Sequence, residues 1–593
     1  MKKFLISLSV IVIFLILLYP RRIAHAVFVK TYPTHSIMYI NGKPKKINVS
    51  NLKLNKYTVV NFRYNIFGIH SIKEVKPLTN RIMIKKNDYY DLEAIGDKSL
   101  SNKTVYYKID KNNTIHLASS KDIIVGKNNV HSFIDKNKLQ TFIIYPLDYS
   151  DTRVAISDTN FQSIYHNDIK ISCTSSSNLY TLINKFSLDI PANSTITFTS
   201  HKDELFINIG AKKKTFKERI YLKGGPFTIT NITRGYPSFS PTYNGILELY
   251  PTKNGIILIN EVSIEDYLTK VVPSEMPIWG GLEALKCQAV SARTYTISDM
   301  LGNRYANLGF YVDDSTKSQV YNNTKPEEIS NQAVKETSGL IMTFNNQPID
   351  AKYYSTSCGT GVNYKDIWFT ADGNSDYKPY LKTSSYLEDT LPLPSSEEDW
   401  LKFYKDINIK SFDNKSPYFR WNVFFDNRTL TENLNINLEK IFKTSPEYMA
   451  LYTNTDKPKK LKRFPKKLKN LKDIKVIKRS SGGNLLELSF IFENAIVNLR
   501  KDSYIRRSFG NSTNIEKIYI NRHSGKPIEN WSTLPSSFFS IEKNDDKFIL
   551  YGGGYGHGVG MSQYGAMYLS ENKQNFRTIL STYYNNIKIE KIY

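Results

Sequence analysis

Short segments rich in β-branched and aromatic residues recur through the first 260 residues, and polar turns separate them. Residues 57–62, 104–109 and 141–145 have this composition, which is typical of strands. Residues 245–250 and 255–260 flank a short turn and predict a hairpin. A chain with this many short strands folds around sheets, so we expect a β-rich protein.

The pattern changes in the middle of the chain, where two helices are predicted. Residues 264–272 have a helical pattern that we expect to end at Pro273. Residues 282–300 are apolar on most sides, as in a helix that is buried. The expected fold class is therefore α+β and β-rich, with a buried central helix.

The first residues carry an export signal. Two lysines precede an uncharged, mostly apolar run over residues 4–18, and two arginines follow it. Ala24-His25-Ala26 is a candidate cleavage site, although the preceding arginines make an uncleaved membrane anchor an equal alternative. Either alternative predicts an extracytoplasmic protein of the cell envelope, in the periplasm or on the outer face of the cytoplasmic membrane.

The chain is strongly basic, with 80 lysine and arginine residues against 55 acidic ones and a formal charge of +25. This balance favours anionic partners, although a lysine-rich composition would also produce it without any binding role. No recognised nucleic-acid-binding module accompanies the charge, so we expect no nucleic acid partner. The three cysteines exclude a disulfide-rich scaffold, and neither they nor the nine histidines have metal-ligand spacing. We expect no metal and no cofactor.

The chain divides into three parts. Residues 1–26 are the predicted signal peptide or anchor, and residues 27–149 are a β-rich region of unknown role. Residues 150–593 carry the motifs described below, with an insertion at about 387–470. Within that insertion, the basic run 457–469 is either a solvated arm or a specific anion site.

A glycine-rich segment over residues 552–566 carries the densest signal. Neither the dinucleotide fingerprint nor the P-loop pattern matches it. Alternate glycines allow backbone to approach a ligand and leave His557 without bulky neighbours, and Ser562 is a candidate cap for a following helix. The segment is either a structural turn in which His557 bonds the backbone, or a saccharide-facing surface formed by His557, Ser562, Gln563 and Tyr564.

A single carboxylate lies between two prolines in Pro273-Ser274-Glu275-Met276-Pro277. The prolines restrict the backbone on both sides. Met276 and the following Ile278-Trp279 offer apolar surroundings, which raise the pKa of a carboxyl group towards the range that a general acid needs. The alternative is a solvated glutamate with no chemical role.

Taken together, these segments resemble the SpoIID/LytB family, which is named for stage II sporulation protein D and an amidase enhancer. The resemblance covers roughly residues 150–593, with the motifs in the family's order. The matching stretches are residues 260–268, 271–277, 282–295, 318–321, 354–359, 367–368 and 555–566.

The resemblance implies an exported protein that acts on peptidoglycan. One branch of the family consists of lytic transglycosylases, whose catalytic acid corresponds to Glu275, and the other modifies a partner amidase. A single carboxylate suffices for the first, because the muramyl sugar's own hydroxymethyl group is the nucleophile. The expected partners are glycan strands, a cell-wall amidase in the enhancer alternative, and the membrane through the N-terminal segment. A wall-binding protein with an inactive site is the third alternative.

Motif membership also implies which side chains position the glycan. Arg293 would pair with a lactyl or peptide carboxylate. We expect the central helix to support a substrate groove, with Glu275 on one side and the His557 loop on the other. The candidate substrate-binding residues are Arg293, Tyr295, Tyr354, Ser355, Ser357, His557 and Gln563.

Two cysteines depart from the family pattern, since Cys287 stands where alanine is usual and Cys358 where glycine is usual. In an oxidising compartment they either form a disulfide, which leaves Cys173 free, or remain two small buried thiols.

Overall fold

The computed structural model describes residues 18–65, 68–209, 212–325, 327–389, 392–513 and 515–593. These residues form two compact units. The first contains the described residues up to 267 together with 296–324 and Tyr593, and the second contains 268–295 and 325–592. Strands outnumber helices in the described residues, which confirms the predicted α+β, β-rich fold class.

Two sheets in the first unit come from the N-terminal region. One has the spatial order Lys43–Ile47, Ser36–Ile40, Arg21–Thr31, Val59–Asn65 and Gly68–Glu74. The other has the order Val130–Asp135, Lys138–Ile144, Gly96–Ile109, Tyr89–Leu92 and Ile82–Lys85, with Ile115–Ala118 beside Gly96–Ile109. The three strands predicted in this region are confirmed, with shifted bounds.

Two further sheets complete the first unit. One has the order Ser187–Ile190, Ser177–Tyr180, Ile220–Lys223, Ile246–Thr252, Gly255–Ser263, Asp151–Ala155 and Val312–Asp313, with Tyr165–His166 beside Gly255–Ser263. The other has the order Lys212–Phe216, Glu204–Ile209, Ser194–His201, Asp168–Cys173, Phe227–Ile229 and Thr242–Tyr243. The predicted hairpin is confirmed, since Ile246–Thr252 pairs with Gly255–Ser263 in antiparallel register.

The N-terminal strand contains the candidate cleavage sequence. Ala26 lies within Arg21–Thr31, is fully buried and pairs with Val60 of the neighbouring strand. Nearly all of the predicted signal or anchor run lies outside the described residues. Within the described ranges, no helix is long and apolar enough to cross a membrane.

Helices concentrate in the second unit. The predicted central helix is confirmed as Leu282–Gly302, and residues on most of its faces are buried. It and Ile264–Glu275 each have residues in both units. The other α-helices are Glu328–Glu336, Glu397–Lys405, Asn427–Thr444, Asp502–Ser508, Gln563–Glu571 and Phe576–Tyr583.

The sheets of the second unit are small. Two of them have four strands each. The first has the order Ile520–Arg522, Trp421–Asp426, Lys547–Gly552 and Phe539–Asn544. The second has the order Met449–Thr453, Ala495–Arg500, Leu485–Phe492 and Leu471–Arg479. A three-stranded sheet joins Gln347–Pro348, Leu340–Phe344 and Lys588–Lys591, and two-stranded pairs join Tyr353–Tyr354 to Met561–Ser562 and Thr360–Gly361 to Ser384–Ser385.

One hydrophobic core joins the two four-stranded sheets and helix Asn427–Thr444. Its members lie on both sides of residue 470, so this core is not confined to the range 387–470 that we predicted as an insertion. Trp421 pairs with Gly552, which makes the two ends of this part hydrogen-bonded neighbours. The basic run 457–469 connects two strands of the core, and its lysines are exposed.

Candidate functional site

Glu275 is the last residue of helix Ile264–Glu275, which contains Pro273. The prediction that this helix ends at Pro273 is therefore wrong. Proline removes only one N–H donor, and bonds from Ser274 Oγ (2.6 Å) and Met276 N (3.0 Å) to the carbonyls four residues earlier hold the last turn. The half-buried Glu275 side chain thus projects from a helix end instead of a loop.

The apolar residues after Glu275 are more exposed than the sequence suggested. Met276 is buried, but Ile278 and Trp279 are 39% and 58% exposed. They do not form the buried apolar surroundings that we expected for the carboxyl group. Trp279 instead packs edge-on against Tyr564, with ring centroids 5.9 Å apart, and this pair offers flat apolar faces at the surface.

Gln563 brings the glycine-rich segment to the carboxylate. Its Nε2 lies 3.5 Å from Oε2 of Glu275 and 3.3 Å from Oε1 of Gln288, a fully buried residue of the central helix. Gln563 is the first residue of helix Gln563–Glu571, and Ser562 caps that helix as predicted. Three separate segments of the chain therefore meet at the Gln563 amide, and Glu275 belongs to one of them.

A second aromatic pair includes one residue of the same glycine-rich segment. Tyr555 is 44% exposed and stacks on Tyr418, with ring centroids 4.5 Å apart. The guanidinium group of Arg522 lies 5.2 Å from the Tyr418 ring centre. The sequence did not indicate Tyr418 or Arg522, because both lie outside the recognised motifs.

His557 is engaged by the protein itself. Its Nδ1 accepts a hydrogen bond from the backbone N–H two residues later (3.1 Å), and its ring contacts Trp368 and Tyr354 at 4.9 and 5.5 Å. Burial, with Lys352 and Arg506 nearby, lowers the pKa of His557 to about 3. The imidazole is therefore neutral at physiological pH. Its backbone hydrogen bond is observed, and its contact with a saccharide stays a prediction.

The residues around position 355 differ in exposure. Strand Tyr353–Tyr354 pairs in parallel with Met561–Ser562, and the buried Tyr354 hydroxyl has no hydrogen-bond partner among the described residues. Burial raises the pKa of Tyr354 well above its usual value. Ser355 is half-buried, and its carbonyl accepts a hydrogen bond from Tyr564 N at 3.0 Å. Of these residues, Ser355 has the more accessible side chain.

Asp413 joins two motif segments and was not predicted. Its fully buried carboxylate accepts hydrogen bonds from Ser357 N (2.9 Å), Ser357 Oγ (2.7 Å) and Ser562 Oγ. Burial raises the pKa of Asp413 to about 6, although these bonds oppose the shift. Because Ser562 directly precedes Gln563, Asp413 helps to position the group that contacts Glu275.

Arg293 and Tyr295 lie on the buried central helix. Arg293 is fully buried and donates to the carbonyl oxygens of Leu340 (3.1 Å) and Val334 (3.5 Å). Tyr295 is 5% exposed, and Lys352 Nζ lies 4.5 Å from its ring centre. Both side chains are thus engaged inside the protein, and their contact with glycan stays a prediction.

The three cysteines are free, buried thiols. Cys287 Sγ lies 3.5 Å from the Phe576 carbonyl, and Cys358 Sγ lies 3.2 Å from the Thr360 hydroxyl. Burial raises the pKa of both thiols. The disulfide considered for Cys287 and Cys358 is therefore wrong, because each sulfur has its own separate contacts. In the part of the chain that the structure describes, no three His, Cys, Asp or Glu side chains cluster as metal ligands would.

Two family models match the chain. The model described as Stage II sporulation protein (SpoIID) matches residues 252–344, a range that includes Glu275. A domain of unknown function (DUF8618) matches residues 365–560, which include both four-stranded sheets of the second unit.

Several curated proteins are similar over more than half of the chain. The amidase enhancer of Bacillus subtilis (strain 168) is 28% identical over 327 residues, which are 54% of this chain and 39% of that protein. Stage II sporulation protein D of the same organism is 27% identical over 360 residues, 58% of this chain and 79% of the relative. An uncharacterized protein of Brachyspira hyodysenteriae is 30% identical over 353 residues, 58% of this chain and 72% of the relative. The chain thus spans well under half of the amidase enhancer's own length. These matches, together with motifs that meet at Glu275, establish that the chain belongs to the SpoIID/LytB family.

Proposed function

We propose that this protein remodels the bacterial cell wall as a peptidoglycan lytic transglycosylase, with Glu275 as general acid and base. The observation that carries the proposal is the placement of Glu275 at a helix end, in contact with Gln563 of the glycine-rich segment.

The proposed reaction needs one carboxyl group. Protonated Glu275 gives its proton to the glycosidic oxygen as that oxygen's bond to C1 of the muramyl sugar breaks, and the electron pair leaves with the oxygen. The Glu275 carboxylate then takes the proton of the 6-hydroxyl group of the same sugar, whose oxygen bonds to C1 and closes an anhydro ring. Glu275 ends protonated, and no water is consumed. The Gln563 amide, which donates towards Oε2, stabilises the carboxylate formed between the two steps.

Glycan contact in this proposal comes from the exposed side of the site. Trp279 and Tyr555 offer aromatic faces to sugar rings, and Ser355 offers a hydroxyl group for hydrogen bonding. The predicted residues that are buried, namely Arg293, Tyr295, Tyr354, Ser357 and Gln563, would act by holding these groups in place. His557 is half-buried and contributes through its neutral ring.

Glu275→Gln tests the proposal, because glutamine keeps the shape of the side chain but cannot donate a proton to the glycosidic oxygen. We expect the release of fragments with anhydro-muramyl ends from purified glycan strands to fall by ~10²–10⁴-fold, as measured by mass spectrometry. Glu328→Gln, which changes an exposed glutamate of the same unit, is the matched control and should leave the release unchanged. Equal release by wild type and Glu275→Gln would remove Glu275 from the mechanism.

The alternative function is a non-catalytic enhancer of an N-acetylmuramoyl-L-alanine amidase, which the name of one relative favours. In that case wild type releases no anhydro-muramyl ends from glycan, yet it accelerates a purified cell-wall amidase. The same glycan digestion, repeated with the amidase, separates the two functions.

Both functions place the protein outside the cytoplasm, in the cell envelope. The support for this location is the export signal predicted from residues 4–18, together with the relatives' roles as printed in their names.

A further inference from the structure

The second unit contains a cavity of about 420 Å³. The residues that line it are distant from Glu275 along the chain, and none of them was predicted as a site residue. Two parts of the chain line it: residues just after the 354–359 motif, and Tyr448 with Lys501, which lie between the paired residues Trp421 and Gly552. Its volume falls in the range of small-molecule sites. The lining residues used below are Tyr364, Trp368, Asn374, Asp376, Tyr448 and Lys501.

Aromatic rings form one wall of this cavity. Tyr364 and Trp368 stack with ring centroids 4.7 Å apart and an interplanar angle of 30°. Both are half-buried, and Trp368 also contacts the His557 ring. The wall therefore adjoins the glycine-rich segment, and its apolar faces suit a pyranose ring.

Lys501 supplies the cation of the cavity. Its Nζ lies 4.5 Å from the ring centre of Tyr448 and donates to the Tyr448 hydroxyl at 3.1 Å. It forms no ion pair with any carboxylate in the described ranges. Asp376, which also lines the cavity, is largely exposed and lies 3.9 Å from Lys378. Lys501 thus retains the capacity to bind an external anion.

The backbone at Lys501 is strained. Its φ of +82° lies in the left-handed region, where residues with a side chain are uncommon and glycine is favoured. Its N–H donates to the Leu486 carbonyl (3.1 Å), and its carbonyl accepts from Ile505 N (3.0 Å), so the conformation is held firmly. Strained residues of this kind cluster at ligand-binding positions.

We infer that this cavity is a saccharide subsite for a sugar that carries a carboxylate substituent. The pyranose ring packs on Tyr364 and Trp368, Asn374 offers an amide for hydrogen bonding, and Lys501 pairs with the carboxylate. The inference rests on the proposed action on wall glycan, whose muramyl units carry either a lactyl or a stem-peptide carboxylate. The subsite recognises the charge that these two substituents share.

Binding to three defined saccharides tests the inference. The probes are the disaccharide of N-acetylglucosamine and N-acetylmuramic acid with a free lactyl carboxylate, the same disaccharide bearing a stem dipeptide, and uncharged diacetylchitobiose. The protein is the full chain with Glu275→Gln, which prevents turnover, and tryptophan fluorescence or calorimetry gives each Kd. We expect at least one carboxylate-bearing probe to bind at least about fivefold more tightly than diacetylchitobiose. The probe that shows this gain identifies the source of the carboxylate.

Three variants assign the binding to the cavity. Lys501→Met should remove the preference for the charged probe without changing the Kd of diacetylchitobiose. Trp368→Ala should weaken all three probes, and Lys457→Met, which removes an exposed cation of the basic run, should change none. The inference is overturned if the Glu275→Gln protein does not prefer a carboxylate-bearing probe to diacetylchitobiose. It is also overturned if that preference survives the added Lys501→Met substitution. Failure of the proposed catalysis would show instead in the glycan digestion, since this comparison involves no cleavage.

Discussion

Replacing Asp413 by asparagine tests whether a buried carboxylate holds the two motif segments of the site together. The Asp413 carboxylate is fully buried and accepts hydrogen bonds from Ser357 and Ser562. Asparagine keeps the size of the side chain but removes the titrating group. The pH dependence of stability therefore isolates the contribution of the charge.

The magnitude follows from the pKa shift. Burial raises the pKa of Asp413 from 3.8 to about 6 in the folded protein. The folded state thus binds the proton more tightly than the unfolded state does. This group contributes stability that is fully present below about pH 4 and is lost as the pH rises through about 6. A shift of about 2 pKa units corresponds to a loss of about 3 kcal/mol.

Tryptophan fluorescence gives the assay. All five tryptophans, at positions 279, 368, 400, 421 and 531, lie in the second unit and report its unfolding. We expect the free energy of urea unfolding of wild type, minus that of Asp413→Asn, to fall by about 2.4 kcal/mol between pH 4 and pH 7. Asp389→Asn, at an exposed aspartate of the same unit, should give a flat difference. A flat or rising difference for Asp413→Asn would refute the reasoning.

Three further predictions concern thiols, a glycine and the N-terminus. Denatured, unreduced protein should expose three reactive thiols and native protein none, because all three cysteines are buried; a count of one would indicate a disulfide. Gly560→Ala should destabilise the protein by more than about 2 kcal/mol in calorimetry, because at φ +75° a Cβ would overlap the Lys352 carbonyl. Gly302→Ala, where the space is open, is its control and should change stability by less than about 0.5 kcal/mol. Mass spectrometry of the protein from cells should find the residues before Val27 still attached, because cleavage after Ala26 would remove part of strand Arg21–Thr31. A mature protein that begins at Val27 would contradict this prediction.

Local patterns predicted the elements whose signal is continuous along the chain. The central helix Leu282–Gly302 has an uninterrupted apolar pattern, and the hairpin Ile246–Thr252 with Gly255–Ser263 has strong strand composition around a turn. The error at Pro273 has a physical cause, since one missing N–H donor does not end a helix whose neighbouring bonds persist. Residue type also could not predict that Trp279 is exposed, because much of a protein surface is apolar.

The candidate site was predicted only where it coincides with recognised motifs. Glu275 and Gln563 belong to such motifs, and the structure brings them into contact. Asp413 and Lys501 acquire their surroundings from tertiary structure, since Asp413 meets Ser357 across 56 residues of chain. Nothing in the sequence near either residue marks that meeting.

The pairing of Trp421 with Gly552 has a consequence for how such chains diversify. Because the strands that contain these residues are direct neighbours, the intervening segment leaves and re-enters the rest of the unit at nearly one point. A segment with adjoining ends and its own core can be gained, lost or exchanged with little disturbance of its host. Glu275 and Gln563 both lie outside it, whereas Tyr448 and Lys501 lie within it. Evolution could therefore exchange this segment as a unit while the contact between Glu275 and Gln563 stays in place.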